Sequence, residues 1–185
     1  NWAYGNALLR AGKMDEGFRY ISVAAESNAI FTGPSVVTAM EILGGDIEAV
    51  QQRLPETPSV NAALAVYLAR QKRFDDAAAV WRRISAEIQR SVSKEQGLQI
   101  AAIFLAANRF RLAAGVNGDL SDAQAGKTET GKIFDGGFES GVKLRGAGSF
   151  EWQIAEGTQP QIAISRTQKH GGESSLLIAF NTTQT

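Results

Sequence analysis

The feature that most restricts this chain is a spacing that recurs. Within Ala62–Ile88, AALAVYLARQKRFDDAAAVWRRISAEI, residues Ala65, Leu68 and Phe74 lie on the inner face of a first helix and the start of a second. Ala77, Trp81 and Ile84 continue the apolar face at helical intervals. Small Ala65 and Ala77 let two backbones approach, and Trp81 fills the space beside them. Asp75 and Asp76 fall at the start of the second helix, where carboxylates suit the positive end of the helix dipole. Gly5, Leu8, Met14, Gly17, Ile21 and Ala24 repeat the order with the same offsets. Ala101, Phe104, Phe110 and Ala113 repeat it again before Asn117 breaks the series, and Val37, Met40 and Ala49 form a looser copy. The starting positions 5, 37, 65 and 101 recur near the period of a helix–turn–helix array, about 34 residues.

In these residues the first part of the chain resembles the tetratricopeptide-repeat family. The copy YGNALLRAGKMDEGFRYISVAAESNA is most similar, with Gly17 at the family's alanine and Ala29 at its closing proline. The resemblance covers roughly the first 115 residues. It implies an α-α superhelical array of paired helices whose concave surface takes a protein or peptide partner. First helices line that surface in the family, so the resemblance makes Asn6, Arg10, Val66 and Arg70 candidate groove residues.

The helices read as pairs at 2–12 and 15–28, 35–43 and 46–54, 59–71 and 74–90, and 94–107 followed by a last helix from Arg109 that fades at Gly115. Gly12 ends the first helix by taking a left-handed backbone cheaply. Phe31-Thr32-Gly33-Pro34 reads as a connector with Pro34 near a helix start, Asp46 as an N-cap, and Ser91 or Ser93 as caps of the helix from Lys94.

Composition supplies exclusions. Hydrophobic content of 44% and charged content of 21% are those of an ordinary globular chain, and a formal net charge of zero gives no bulk attraction to nucleic acid or an anionic membrane. Cysteine is absent, which removes disulfides, thiol nucleophiles and thiolate metal sites. No apolar run approaches the ~20 residues that span a bilayer. The chain opens at Asn1 inside a helical pattern, from which we expect a piece of a longer protein or a processed product.

Residues 116–132 lose apolar periodicity and read as a linker. From Ile133 the period becomes two. Phe150, Trp152 and Ile154 alternate with Glu151 and Gln153, Gln161, Ala163 and Ser165 with Ile162 and Ile164, and Ser175, Leu177 and Ala179 with Leu176, Ile178 and Phe180; each run is a strand candidate with one buried face, and His170-Gly171-Gly172 is a turn between the last two. Gly136-Gly137-Phe138-Glu139-Ser140, Trp152 and His170-Gly171-Gly172-Glu173-Ser174-Ser175-Leu176 resemble the opening strands of a galactose-binding-like jelly-roll β-sandwich of the carbohydrate-binding-module type. About 50 residues are too few to close such a sandwich. The expected class is therefore multi-domain α and β: a helical repeat domain over 1–115, a linker over 116–132 and a partial antiparallel sandwich over 133–185.

Several constellations carry residue types that chemistry uses. Gly126–Lys132 has the letters of a phosphate loop, but Ile133 stands where a magnesium-binding hydroxyl belongs, and a solvated linker explains it. Ser91-Val92-Ser93-Lys94 has serine–x–x–lysine spacing without its companion motifs, and capping explains the serines. His170, the single histidine, has no partner at ligand spacing and suits a turn. The sandwich resemblance implies a structural calcium near Glu139, to which Asp135 and Glu156 would add oxygen ligands; exposed turn carboxylates are the blander alternative. Trp152 offers a flat face to a sugar ring, although its alternation with Phe150 and Ile154 assigns it to a core. Arg70, Lys72, Arg73, Arg82, Arg83 and Arg90 form a basic neighbourhood, and a solvated face is its default reading. No thiol, paired histidine or carboxylate dyad suggests catalysis. The expected function is a non-catalytic scaffold, its array holding a protein or peptide and its sandwich holding a glycan. The alternative is an accessory part of a larger cell-envelope or secreted enzyme whose chemistry lies outside these residues. Bacterial periplasm, envelope or export is the expected setting, from the sandwich type.

Overall fold

A computed structural model describes residues 1–121, 133, 135–139, 142–143, 148, 150–153 and 160–180. Among them are nine helices followed by a two-stranded antiparallel sheet. The chain divides into two compact units, Asn1–Asp122 and Ala123–Thr185.

The first unit is a series of helical hairpins. Helices α1 (Trp2–Arg10) and α2 (Met14–Ser27) pair, as do α5 (Pro58–Arg70) with α6 (Phe74–Trp81) and α8 (Lys94–Ala106) with α9 (Phe110–Leu120). Between them α3 (Ala29–Ile42) is followed by the short α4 (Ile47–Arg53), and α7 (Ala86–Arg90) intervenes before α8. First helices adjoin in sequence, α3 on α5 and α5 on α8. Phe18, Ile21, Leu64, Leu68, Trp81, Ile100 and Phe104 are the large buried side chains between them. Each such side chain removed from water stabilises the fold by about 1.5–3 kcal/mol before ordering costs.

One turn geometry joins all four hairpins. Gly12, Gly44, Lys72 and Asn108 take left-handed backbone, at φ of 78°, 64°, 61° and 57°. Each lies seven residues after one of the sequence-derived starting positions, 5, 37, 65 and 101. The next N–H in each turn closes back on the first helix: Lys13 to Leu8 O at 3.0 Å, Gly45 to Met40 O at 2.8 Å, Arg73 to Leu68 O at 2.9 Å and Arg109 to Phe104 O at 2.8 Å. This is the Schellman bonding that satisfies carbonyls a helix end would leave bare. The repeat register read from sequence is thus the register of the turns.

The second hairpin departs from it by one residue. Gly45 also has positive φ, at 80°, so α4 begins a residue later than its counterparts. Val50 and Leu54 consequently take the buried places, while Ala49, the small position expected from the offset, is half-buried. Val37 is likewise exposed and Val36 buried in its stead.

Three expected boundaries are corrected. Phe31–Pro34 is not a connector: α3 starts at Ala29, where the Asn28 side chain accepts the Ile30 N–H at 3.0 Å. Packing overrides the Gly-Pro break, because Thr32 and Ser35 are buried and donate to Ala25 O and Ile21 O of α2 at 3.2 and 3.5 Å. Pro34 has no N–H for Ile30 O, and Ile30 is exposed, so water can serve that carbonyl. The helix expected over 74–90 breaks after Trp81, and Ser85 precedes α7 with extended backbone. The last helix does not fade at Gly115; α9 continues to Leu120, burying Val116 and Leu120.

In the second unit β1 (Gln161–Ser165) pairs with β2 (Ser175–Ala179) from Gln161↔Ala179 to Ser165↔Ser175. These are two of the expected strands, with His170 on the connection between them. The strand expected around Trp152 is corrected: Phe150–Gln153 is not strand. Glu151 bends the chain there, accepting the Gly148 N–H at 2.8 Å and the Lys143 ammonium at 2.8 Å. Those two donors hold the Glu151 carboxyl below the ordinary glutamate range, Lys143 contributing most. Ile154 and most of the expected linker, 116–132, lie outside the described residues.

Candidate functional site

The candidate groove residues fall into two repeat-equivalent columns. Arg10 and Arg70 each sit two residues before a left-handed turn residue, in the last turns of α1 and α5, and both are exposed. Ile42 and Ala106 hold the same place on α3 and α8, and Ile42 is exposed as well. Asn6 and Val66 belong to the second column. Asn6 is half-buried, its amide donating to Trp2 O at 3.0 Å within its own helix. Val66 is only 8% exposed and so offers packing rather than surface to a partner.

A deeper constellation lies around Trp81. Its ring is fully buried, its Nε1 donates to Asp119 Oδ2 at 3.2 Å, and its carbonyl accepts from Gln89 Nε2 at 3.0 Å. Gly97 makes room for the ring: a Cβ there would stand 2.7 Å from Trp81 Cη2 and 2.8 Å from Leu120 Cδ2. Ser93 Oγ and Gln96 Oε1, buried at the start of α8, have no hydrogen-bond partner, so the capping box that Ser93-x-x-Gln96 spells is not closed. The Trp81 arrangement clamps α6, α7, α8 and α9 together and is structural.

The turn edge of the third and fourth hairpins carries a cleft. Its volume is about 450 Å³, within the range of ligand pockets, and Asp75, Asn108, Arg109, Phe110, Arg111 and Leu112 line it. Arg109 stacks its guanidinium 5.4 Å from the centroid of Phe74, whose ring meets Phe104 edge-on at 5.8 Å. Phe110, the counterpart of Phe74, is 58% exposed. This cleft escaped the sequence reading, which stopped at the helix-forming role of these positions. A signal was present: the second residue of the second helix is acidic in three hairpins, Asp15, Glu48 and Asp75, and is Arg111 in the fourth.

In the second unit, Asp135–Glu139 forms a turn in which Asp135 and Phe138 have positive φ. Asp135 Oδ1 accepts the Glu139 N–H at 2.7 Å, and the Glu139 carboxylate accepts the Glu173 N–H at 3.0 and 3.1 Å. Glu139 therefore ties this turn to the segment before β2, and no group of three acidic or histidine side chains placed to hold a metal occurs among the described residues. Glu156, the third oxygen donor considered, lies outside them, as does the phosphate-loop-like stretch. Trp152 is not in a core: it is 36% exposed, its Nε1 donates to Asp135 O at 3.0 Å, and its ring meets Phe138 at 5.0 Å, tilted by 33°. The turn at Glu151 removes the alternation that pointed inward. His170 is exposed, between two segments bridged by the Lys169–Glu173 ion pair at 3.3 Å.

No helix among the described residues is long and apolar enough to cross a membrane. No family model, curated protein or solved structure matches the chain.

Proposed function

We propose that the chain is a non-catalytic scaffold whose first unit is a tetratricopeptide-like array that holds a protein or peptide partner. One observation carries this reading. Four hairpins share one left-handed turn geometry in one sequence register, and the first helices of the last three, α3, α5 and α8, lie side by side. Such an array presents repeat-equivalent side chains in rows, and Arg10 and Arg70 with Ile42 make one mixed basic and apolar row suited to a peptide. The second unit, by its resemblance to the opening of a carbohydrate-binding sandwich, adds a glycan contact through Trp152. Its partly exposed indole, fixed by Asp135 and Phe138, offers the flat apolar face that a sugar ring covers. The test is a peptide array and a glycan array probed with the full chain. Peptide binding weakened by Arg70→Ala, and glycan binding weakened by Trp152→Ala, are expected. A chain that retains nothing on either array overturns the reading.

A further inference from the structure

We propose that the helical unit stacks head to tail on a second copy of itself, α1 of one protomer lying against α8 of the next. The contact continues an interface that the fold already uses. Ala65 of α5 corresponds to Ala101 of α8 and to Gly5 of α1, which fixes the equivalent positions on these first helices. Helix α5 has a first helix on each side, α3 and α8. Helix α8 packs on α5, α7 and α9, and α1 packs chiefly on α2, so among the described residues α8 has no following first helix and α1 no preceding one.

Side-chain exposure follows that difference. Ala62 and Val66, about one turn apart on α5, are buried. Their equivalents on α8 are Leu98, 52% exposed, and Ala102, also exposed. Leu64 of α5 and Ile100 of α8 are equivalent and fully buried, yet the same position on α1 is Tyr4, 53% exposed. Leu98 and Ala102 are therefore apolar where a following first helix would cover them, and Tyr4 is so where a preceding one would. The turn edge repeats the pattern. Arg73 donates to Gly45 O of the hairpin before it at 2.6 Å, and Arg109 lies over Phe74 of the hairpin before it. Lys13 holds the same place in the first hairpin and is exposed, while Phe110 holds the place of Phe74 in the last and is exposed too. Stacking sets the Lys13 ammonium of one copy over the Phe110 ring of the other, a cation on an aromatic face. The two surfaces differ, so the contact is heterologous and each added copy presents a fresh end. Interfaces under ~1,200 Å² are weak and transient, and one first helix against another is of that kind, so the stack grows with concentration.

The experiment is sedimentation equilibrium of the full chain from micromolar to millimolar concentration. The average mass should rise past that of a dimer. Leu98→Glu and Tyr4→Glu should each stay monomeric while keeping the helical circular dichroism at 222 nm, and Ala102→Glu repeats the Leu98 test on the same face. An equimolar mixture of Leu98→Glu and Tyr4→Glu should form dimers and stop there, because each chain retains the end that the other has lost. Lys13→Glu should weaken association about threefold. A chain that is monomeric at millimolar concentration, a mass that levels off at a dimer, or a mixture that remains monomeric overturns the proposal. So does association that Tyr4→Glu leaves unchanged, which would assign Leu98 to a contact between like faces. The stack needs no bound peptide, so a failure on the peptide and glycan arrays sinks the scaffold reading and leaves this one standing.

Discussion

Two helical glycines ought to respond to the same substitution with opposite signs. Gly97→Ala in α8 places a methyl 2.7 Å from Trp81 Cη2, 2.9 Å from Cζ2 and 2.8 Å from Leu120 Cδ2. Leucine can yield by rotating, but the indole cannot: its ring is fully buried and its Nε1 is tied to Asp119. Gly115→Ala in α9 places a methyl with no atom within 4 Å. Both changes gain about 0.8–1 kcal/mol of helix propensity. Overpacking of a filled core costs about 1–3 kcal/mol. Gly115→Ala should therefore stabilise by up to about 1 kcal/mol, and Gly97→Ala should fall below it by about 1–3 kcal/mol, because propensity cancels in the difference. Urea unfolding followed by circular dichroism at 222 nm measures both, provided the slope with denaturant is unchanged. Each kcal/mol also moves the thermal midpoint by roughly 2–8 °C in domains of this size range. Equal stabilisation by both alanines would refute the interlock of Trp81 with Gly97 and the packing of α6 on α8 and α9 built upon it.

Other outcomes follow from single contacts. Asp46→Ala removes the side chain that accepts the Glu48 and Ala49 N–H groups at 2.9 and 3.1 Å, and should cost about 0.5–2 kcal/mol in the same urea assay. Lys72→Gly and Asn108→Gly relieve left-handed backbone in non-glycine residues, so each should raise the unfolding midpoint, while Gly12→Ala should lower it. In the second unit the lowered Glu151 pKa stabilises the folded charged form at pH above the unfolded glutamate value, about 4.3. That contribution is lost as pH falls through the lower folded value. A carboxyl-carbon NMR titration should place the Glu151 midpoint below that of ordinary glutamates, and Lys143→Ala should move it upward.

Much of the first unit was determined by local chemistry, and so was legible in sequence. Small residues at Gly5, Gly17, Ala65 and Ala77 are needed wherever backbones close up: a Cβ on Gly17 would lie 2.7 Å from the Leu9 side chain. Because that need recurs with the hairpin, the spacing carried the register, and the left-handed residue fell at one offset from it in all four turns. The two strands at 161–165 and 175–179 were legible as strands, but the single buried face expected of each is not found: Leu177 and Ile178, neighbours on β2, are both exposed.

What tertiary structure alone decided has non-local causes. The Gly33-Pro34 dipeptide spells a break, yet α2 holds Thr32 and Ser35 in helix by accepting their hydroxyls. The run from Phe74 continues its period past Trp81, yet the chain bends there, and Gln89 returns to the Trp81 carbonyl. Glycine at 97 has no local reason at all; it answers an indole delivered from another helix. The cleft at Arg109–Leu112 is completed by Asp75 from another hairpin, and Trp152 faces outward because Glu151 finds Lys143 and Gly148. Periodicity records the demands a segment meets within its own turn or strand. Packing adds demands from residues far along the chain, and those leave no periodic trace.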